Sequence, residues 1–216
     1  PWQHMVTQCY HFQDDLLADC DKAYLVSEFA IIGRQNPETE EAKKFINKNS
    51  YELNDEKTAL GFIFADEEWE LSQAYQALCA AVATKQLRKL GADGMLWCCL
   101  TGGANNASYL KPIIDFYGYK KLAYYQLREG FGKVTAFNEK MDVLFHEGYE
   151  ICPIVVGAAA EKEYALCIEI CDEDGQTQAK KNLKKGIMQE DNLHFEAWTP
   201  CLDSGYYTIR YTVTEA

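Results

Sequence analysis

The sequence predicts an α/β half followed by an all-β half, and three observations carry that expectation. Two apolar runs, Ala23–Ala30 (AYLVSEFA), interrupted only near its end by Ser27 and Glu28, and Gly94–Leu100 (GMLWCCL), have the bulky apolar content of strands covered on both faces. Helical stretches lie between and after them, so residues 23–131 read strand, helix, helix, strand, helix, an alternation that gives parallel strands with crossover helices. At 130–134 the helical signals stop. Short apolar or alternating segments separated by turn residues follow, which is the rhythm of a β-sandwich.

The first 22 residues are aromatic-rich, and Gln13–Lys22 predicts a short helix with Leu16 and Leu17 inward. The first strand, 23–29, ends on Ser27 and Glu28. A carboxylate at the end of a buried strand costs desolvation energy unless it has partners. It can be a structural ion pair or a water-facing strand end; in an α/β barrel that end is also where the chemistry sits. Asn36-Pro37 starts the next helix, with Asn as N-cap and Pro at the first helical position. Glu38, Glu40 and Glu41 complement its dipole, and Phe45 and Ile46 supply its buried face. Gly61–Ala65 (GFIFA) reads as a packed loop.

The clearest helix runs over 66–90. Asp66 caps it, Glu67 and Glu68 sit at its positive end, and Lys85, Arg88 and Lys89 sit at its negative end. Leu71, Tyr75, Leu78, Cys79 and Val82 share one face at helical spacing, and Gly91 ends the helix in the left-handed conformation. A polar loop containing Asn105 and Asn106 follows the second strand. A helix over 120–131 then turns Leu122, Ala123, Leu127 and Phe131 inward. In the β half the strand candidates are 141–145, 149–156, 164–170, 193–197 and 206–213. Glu173-Asp174-Gly175 and Asp203-Ser204-Gly205 mark turns. The expected domains are 1–131 and 132–216.

Composition narrows the function classes. The 216 residues are 48% hydrophobic, enough for one large domain or two small ones. The net charge of −12 is spread along the chain, which repels phosphate backbones and excludes nucleic acid as a partner. No apolar run approaches the ~20 residues that span a bilayer, so no membrane partner is expected. Nothing at the N-terminus reads as a signal peptide. The sequence begins at Pro1, as expected of a processed protein or a fragment. The nine cysteines include no C-x-x-C pair, and the spacing of His4 and His11 fits no metal motif, so neither a metal nor another cofactor is expected. The cysteines read as reduced, which favours a reducing, cytoplasmic compartment.

Several of these residues, taken in order, resemble glycoside hydrolase family 2, in its β-mannosidase/β-galactosidase-like members. The residues are Ser27-Glu28-Phe29 at a strand end, EEWELSQAYQAL (67–78) with Glu70, Gln73 and Ala77 on a helix, and Trp97 on the next strand. Asp115-Phe116-Tyr117-Gly118 and Lys121-Leu122-Ala123-Tyr124-Tyr125 follow. The resemblance implies the last strands and helices of a (β/α)8 barrel over 1–131 and an immunoglobulin-like β-sandwich over 132–216. It gives Glu28 the role of nucleophile in a retaining exo-β-glycosidase. Trp97, Asn105 and Asn106 become candidates for substrate contact, with the tryptophan ring offered to the sugar's C–H groups. The implied partners are a carbohydrate substrate and the rest of the glycosidase chain.

The sequence also departs from that pattern. Ala30 stands where the family usually has Gly, and Cys98-Cys99-Leu100-Thr101 replaces the Gln-Leu-Asn-Asp of mannosidase-like members. No Asn-Glu dipeptide precedes Glu28 to supply the acid/base carboxyl; Asn138-Glu139 comes too late. Two strands cannot close an eight-stranded barrel, so the piece alone is expected to be inactive. The alternative is a non-catalytic carbohydrate-binding or protein-interaction module. A complete small α/β enzyme would need a phosphate loop, a G-x-S-x-G elbow or a metal motif, and the sequence has none. An encoding gene running several hundred residues upstream favours the glycosidase, and a reading frame starting near Pro1 favours the module.

Overall fold

A computed structural model describes residues 25–29, 69–101, 111–115, 118–189 and 191–215, with the backbone alone at 27–29. The expected helix at 13–22, the helix from Asn36-Pro37, the loop at 61–65 and the cap at Asp66 lie outside the described residues. The chain divides into two compact units between Phe131 and Gly132.

The first unit pairs β1 (Leu25–Phe29) with β2 (Gly94–Trp97) in parallel. A parallel pair needs a crossover connection, and α1 (Trp69–Lys89) lies in it. Leu90 and Ala92 continue the helical hydrogen bonding, and Gly91 closes the helix at φ +78°, where a Cβ is disfavoured. Strand β2 is shorter than the apolar run suggests, stopping before Cys98. Helix α2 (Leu122–Gly130) packs on α1. The contact is built from small residues, with Ala77, Ala80, Ala83 and Leu87 of α1 meeting Ala123 and Leu127 of α2 and Ile113. Arg88 Nη1 crosses between the helices to donate to the Gly130 carbonyl at 2.9 Å.

Some expected faces are corrected. Leu122 (47% exposed) and Phe131 (48%) point outward, and Leu71 is exposed as well. Instead, α1 buries Ser72, Gln73, Gln76 and Thr84. Spacing alone weights apolar residues, whereas a close helix pair favours small side chains and polar ones with partners. Thr84 Oγ1, for example, donates to the Ala80 carbonyl at 2.5 Å. The strand pair is also less covered than expected, since Leu25 (59% exposed) and Leu96 (56%) are open. Among the described residues there is no closed barrel; there are two helices with a small parallel pair.

The second unit is antiparallel. Its strands are β3 (Thr135–Asn138), β4 (Pro153–Val156), β5 (Tyr164–Cys171), β6 (Thr177–Leu183), β7 (Ile187–Gln189), β8 (Asn192–His194) and β9 (Thr208–Glu215). They form two sheets, ordered β3-β4-β8-β7 and β6-β5-β9. Val155, Leu193 and Phe195 from one sheet side meet Tyr164, Leu166, Ile168 and Leu183 from the other, with Ile209, Tyr211 and Val213 of β9 half-buried beside them. Strand β5 shows why: Tyr164, Leu166, Ile168 and Ile170 alternate inward as the pleat requires. The turn at Glu173-Asp174-Gly175 joins β5 to β6, with Gly175 at φ +77°.

The expected strand at 141–145 does not form. Met141 takes φ +53° and its N–H turns back to the Asn138 carbonyl, leaving Val143 and Leu144 exposed. Tyr149 holds this loop. Its hydroxyl donates to Asp142 Oδ2 at 2.5 Å and accepts from Asn138 Nδ2 at 2.8 Å, while Phe145 stacks on its ring at 4.0 Å. Asn138 Oδ1 in turn accepts the Cys152 N–H at 3.0 Å. Burial and the bond to Asp142 push the Tyr149 phenol well above the ordinary tyrosine range.

Candidate active site

The parallel register decides what the first unit can bring together. Leu25 lies opposite Gly94, Val26 opposite Met95 and, after an irregularity, Phe29 opposite Trp97. The backbone of Glu28, one residue before Phe29, therefore shares the C-terminal edge of the pair with Trp97. In parallel α/β sheets that edge is where ligands bind. The side chain of Glu28 lies outside the described residues, as do Asn105 and Asn106.

Trp97 is half-buried against the α1/α2 core. Its indole Nε1–H donates to the Lys111 carbonyl at 3.2 Å, and Gln76 Nε2 of α1 donates to the same oxygen at 3.1 Å. One backbone carbonyl thus fixes both the tryptophan and a buried glutamine, and it sets the plane of the indole. Beyond β2 the chain runs beside 113–114. Ile113 N–H reaches the Cys99 carbonyl at 3.2 Å and Ile114 N–H the Leu100 carbonyl at 2.9 Å. Thr101 and Ile114 form a parallel bridge that extends the strand direction past Trp97. The peptide bond between Cys98 and Cys99 is cis.

A second polar group sits between this edge and α2. Asp115, buried, accepts the Tyr119 N–H on Oδ1 at 2.8 Å, and its own N–H returns to the Tyr119 carbonyl at 2.8 Å, closing a tight turn. Two residues on, Lys121 is fully buried at the start of α2, and its N–H donates to the Ile113 carbonyl at 2.9 Å. Burial pulls the Lys121 ammonium down to about 7, against the opposing pull of the Asp115 charge. The N-terminus of α2 is also met by Gln73, whose Oε1 accepts the Leu122 N–H at 3.4 Å. Sequence reading used Lys121 only as part of a pattern and missed its burial. The available signal was its place between Ile113–Asp115 and the apolar start of α2.

Among the described residues, no group of His, Cys, Asp and Glu is arranged to hold a metal ion, and no helix is long and apolar enough to cross a membrane.

No protein-family model and no curated protein matches the sequence. Among solved structures the chain is similar to an exo-chitosanase of Amycolatopsis orientalis in complex with PNP-beta-D-glucosamine. The identity is 12% and the TM-score 0.42, over 69% of this chain and 17% of that one. The chain therefore spans less than a fifth of the protein it matches.

Proposed function

We propose that this chain is the C-terminal part of the catalytic barrel of a retaining exo-β-glycosidase, followed by an immunoglobulin-like domain, with Glu28 as the nucleophile. The observation that carries this reading is the pairing of Phe29 with Trp97. It sets the backbone of Glu28 and the tryptophan at the same carboxyl edge of neighbouring parallel strands, in the order that the family 2 resemblance implies. An ionised Glu28 would attack the anomeric carbon and form a glycosyl ester. A second carboxyl group, about 5–5.5 Å away on another part of the enzyme, would protonate the leaving oxygen and then activate water. Trp97, with its N–H committed to the Lys111 carbonyl, would present its ring to the sugar. Asn105 and Asn106 remain candidates for polar contacts to the sugar hydroxyls.

Two further features support this reading. Parallel strands are ordinarily covered on both faces, and the open Leu25 and Leu96 are apolar positions that the missing barrel strands would cover. In the second unit, the sheet order β3-β4-β8-β7 against β6-β5-β9 follows the A-B-E-D and C′-C-F orders of immunoglobulin-like sandwiches. The test is Glu28→Gln in the full-length enzyme with a panel of aryl β-glycosides. Turnover should fall by about a thousandfold or more with the fold intact, since the covalent route is closed. Ordinary hydrolysis rates in that variant would remove the nucleophile assignment.

A further inference from the structure

We propose that Cys98 and Cys99 are a vicinal dithiol that exchanges with low-molecular-weight disulfides and closes into a disulfide between neighbouring residues. The site is independent of the glycosidase reading and concerns thiol chemistry at the end of β2. The two sulfurs lie 3.1 Å apart and are not joined. A disulfide bond is about 2.05 Å long, so closing this pair asks each sulfur to move by roughly 0.5 Å. Both side chains are half-buried, and although Trp97 before them is half-buried too, Leu100 and Thr101 after them are exposed, so a small oxidant can approach from that side. By contrast, Cys79 and Cys171 are buried. The backbone around the pair is anchored by the bonds from Ile113 and Ile114 to the Cys99 and Leu100 carbonyls. Reaction therefore moves sulfurs rather than the strand.

The chemistry balances without a group from elsewhere in the protein. One of the two thiolates attacks a sulfur of the small disulfide, forming a mixed disulfide and releasing one small thiol. The neighbouring thiolate then attacks the protein-side sulfur of that mixed disulfide and expels the second small thiol. The protein dithiol loses two protons and two electrons, and the small disulfide is reduced to two thiols. Holding the resolving sulfur in contact makes the second step effectively unimolecular. Adjacent residues lie closer together than the usual ~4.4–6.8 Å between disulfide-linked Cα atoms, so the closed form is one that reducing agents reopen readily rather than a structural staple.

The experiment is oxidation of the native protein with oxidised glutathione, followed by alkylation, tryptic digestion and mass spectrometry. Cleavage after Lys89 and Lys120 gives a peptide of residues 90–120, because Pro112 blocks the site at Lys111; this peptide contains Cys98 and Cys99 and no other cysteine. It should appear unalkylated and lighter by two hydrogens, with two glutathione molecules released per pair, and dithiothreitol should restore two alkylatable thiols. In Cys98→Ser and in Cys99→Ser, the remaining thiol should keep glutathione as a stable mixed disulfide. The proposal is overturned if the wild-type peptide keeps glutathione, stays doubly alkylatable in excess oxidant, or is recovered cross-linked to another cysteine peptide.

Discussion

Gly130→Ala tests how the two helices of the first unit are held. Gly130 is the last residue of α2 and lies directly over Thr84 of α1. A methyl group placed there would sit 2.9 Å from Thr84 Cβ and closer still to its Cγ2. Thr84 cannot easily give way, because it is fully buried and its hydroxyl is bonded to the Ala80 carbonyl. Neither can the Gly130 backbone, whose carbonyl accepts from Arg88. In an open helix the change would gain up to about 1 kcal/mol. Overpacking of this kind costs about 1–3 kcal/mol, so a net loss of about 1–2 kcal/mol is expected. Thr84→Ala removes the nearer atom, Cγ2, and leaves Cβ at 2.9 Å, so the double variant should recover part of the loss, a coupling of up to about 1–2 kcal/mol. The assay is urea unfolding followed by the helical circular-dichroism signal, since both described helices belong to this unit. An unchanged or raised midpoint for Gly130→Ala, or strict additivity in the cycle, would show that the helices are not in this contact.

Three other expectations can be checked by urea unfolding, followed by the helical signal for Lys121 and by the fluorescence of Trp198, packed on the sandwich core, for the two positions in the second unit. Lys121 binds its proton less tightly in the folded chain, at about 7 rather than 10.5. Between those values the unfolded state holds more protons, so this group makes stability rise with pH by close to 1.4 kcal/mol per unit; Lys121→Met should remove that slope when compared at pH 7 and 9.5, and an identical slope in both proteins would contradict the buried charge. Tyr149→Phe keeps the stack on Phe145 but takes a partner from Asn138 and Asp142, which should cost about 1–3 kcal/mol; an unaltered midpoint would mean that the loop is held otherwise. Ile168→Ala, at a fully buried position in the middle of the central strand β5, should cost about 2–5 kcal/mol; a loss below about 1 kcal/mol would be too small for a core residue in the sandwich.

Much of this architecture is legible in the amino-acid sequence. Helix α1 announces itself by its charges and by Gly91, and the turn before β6 by Asp174-Gly175. These are local signals, set by backbone sterics and by side chains within one turn of each other. Strand β6, by contrast, gives almost no signal. TQAKKNL is polar because it lies at the edge of its sheet, with Lys180 pairing across to Glu169 at 2.8 Å, and its backbone bonds come from β5. The run Met141–Phe145 misleads in the other direction, as an apolar segment held in a loop by Tyr149.

The amino-acid order alone therefore determined the kinds of element, their succession, and the placing of a carboxylate at one strand end with a tryptophan on the next. Tertiary structure decided the rest: that Phe29 stands opposite Trp97, that one carbonyl of Lys111 fixes the indole, that Lys121 loses its water, and that two neighbouring sulfurs touch. Strand register and burial depend on residues far apart in the chain competing for the same partners and the same space. A local pattern cannot encode the outcome of that competition, because it does not contain both competitors.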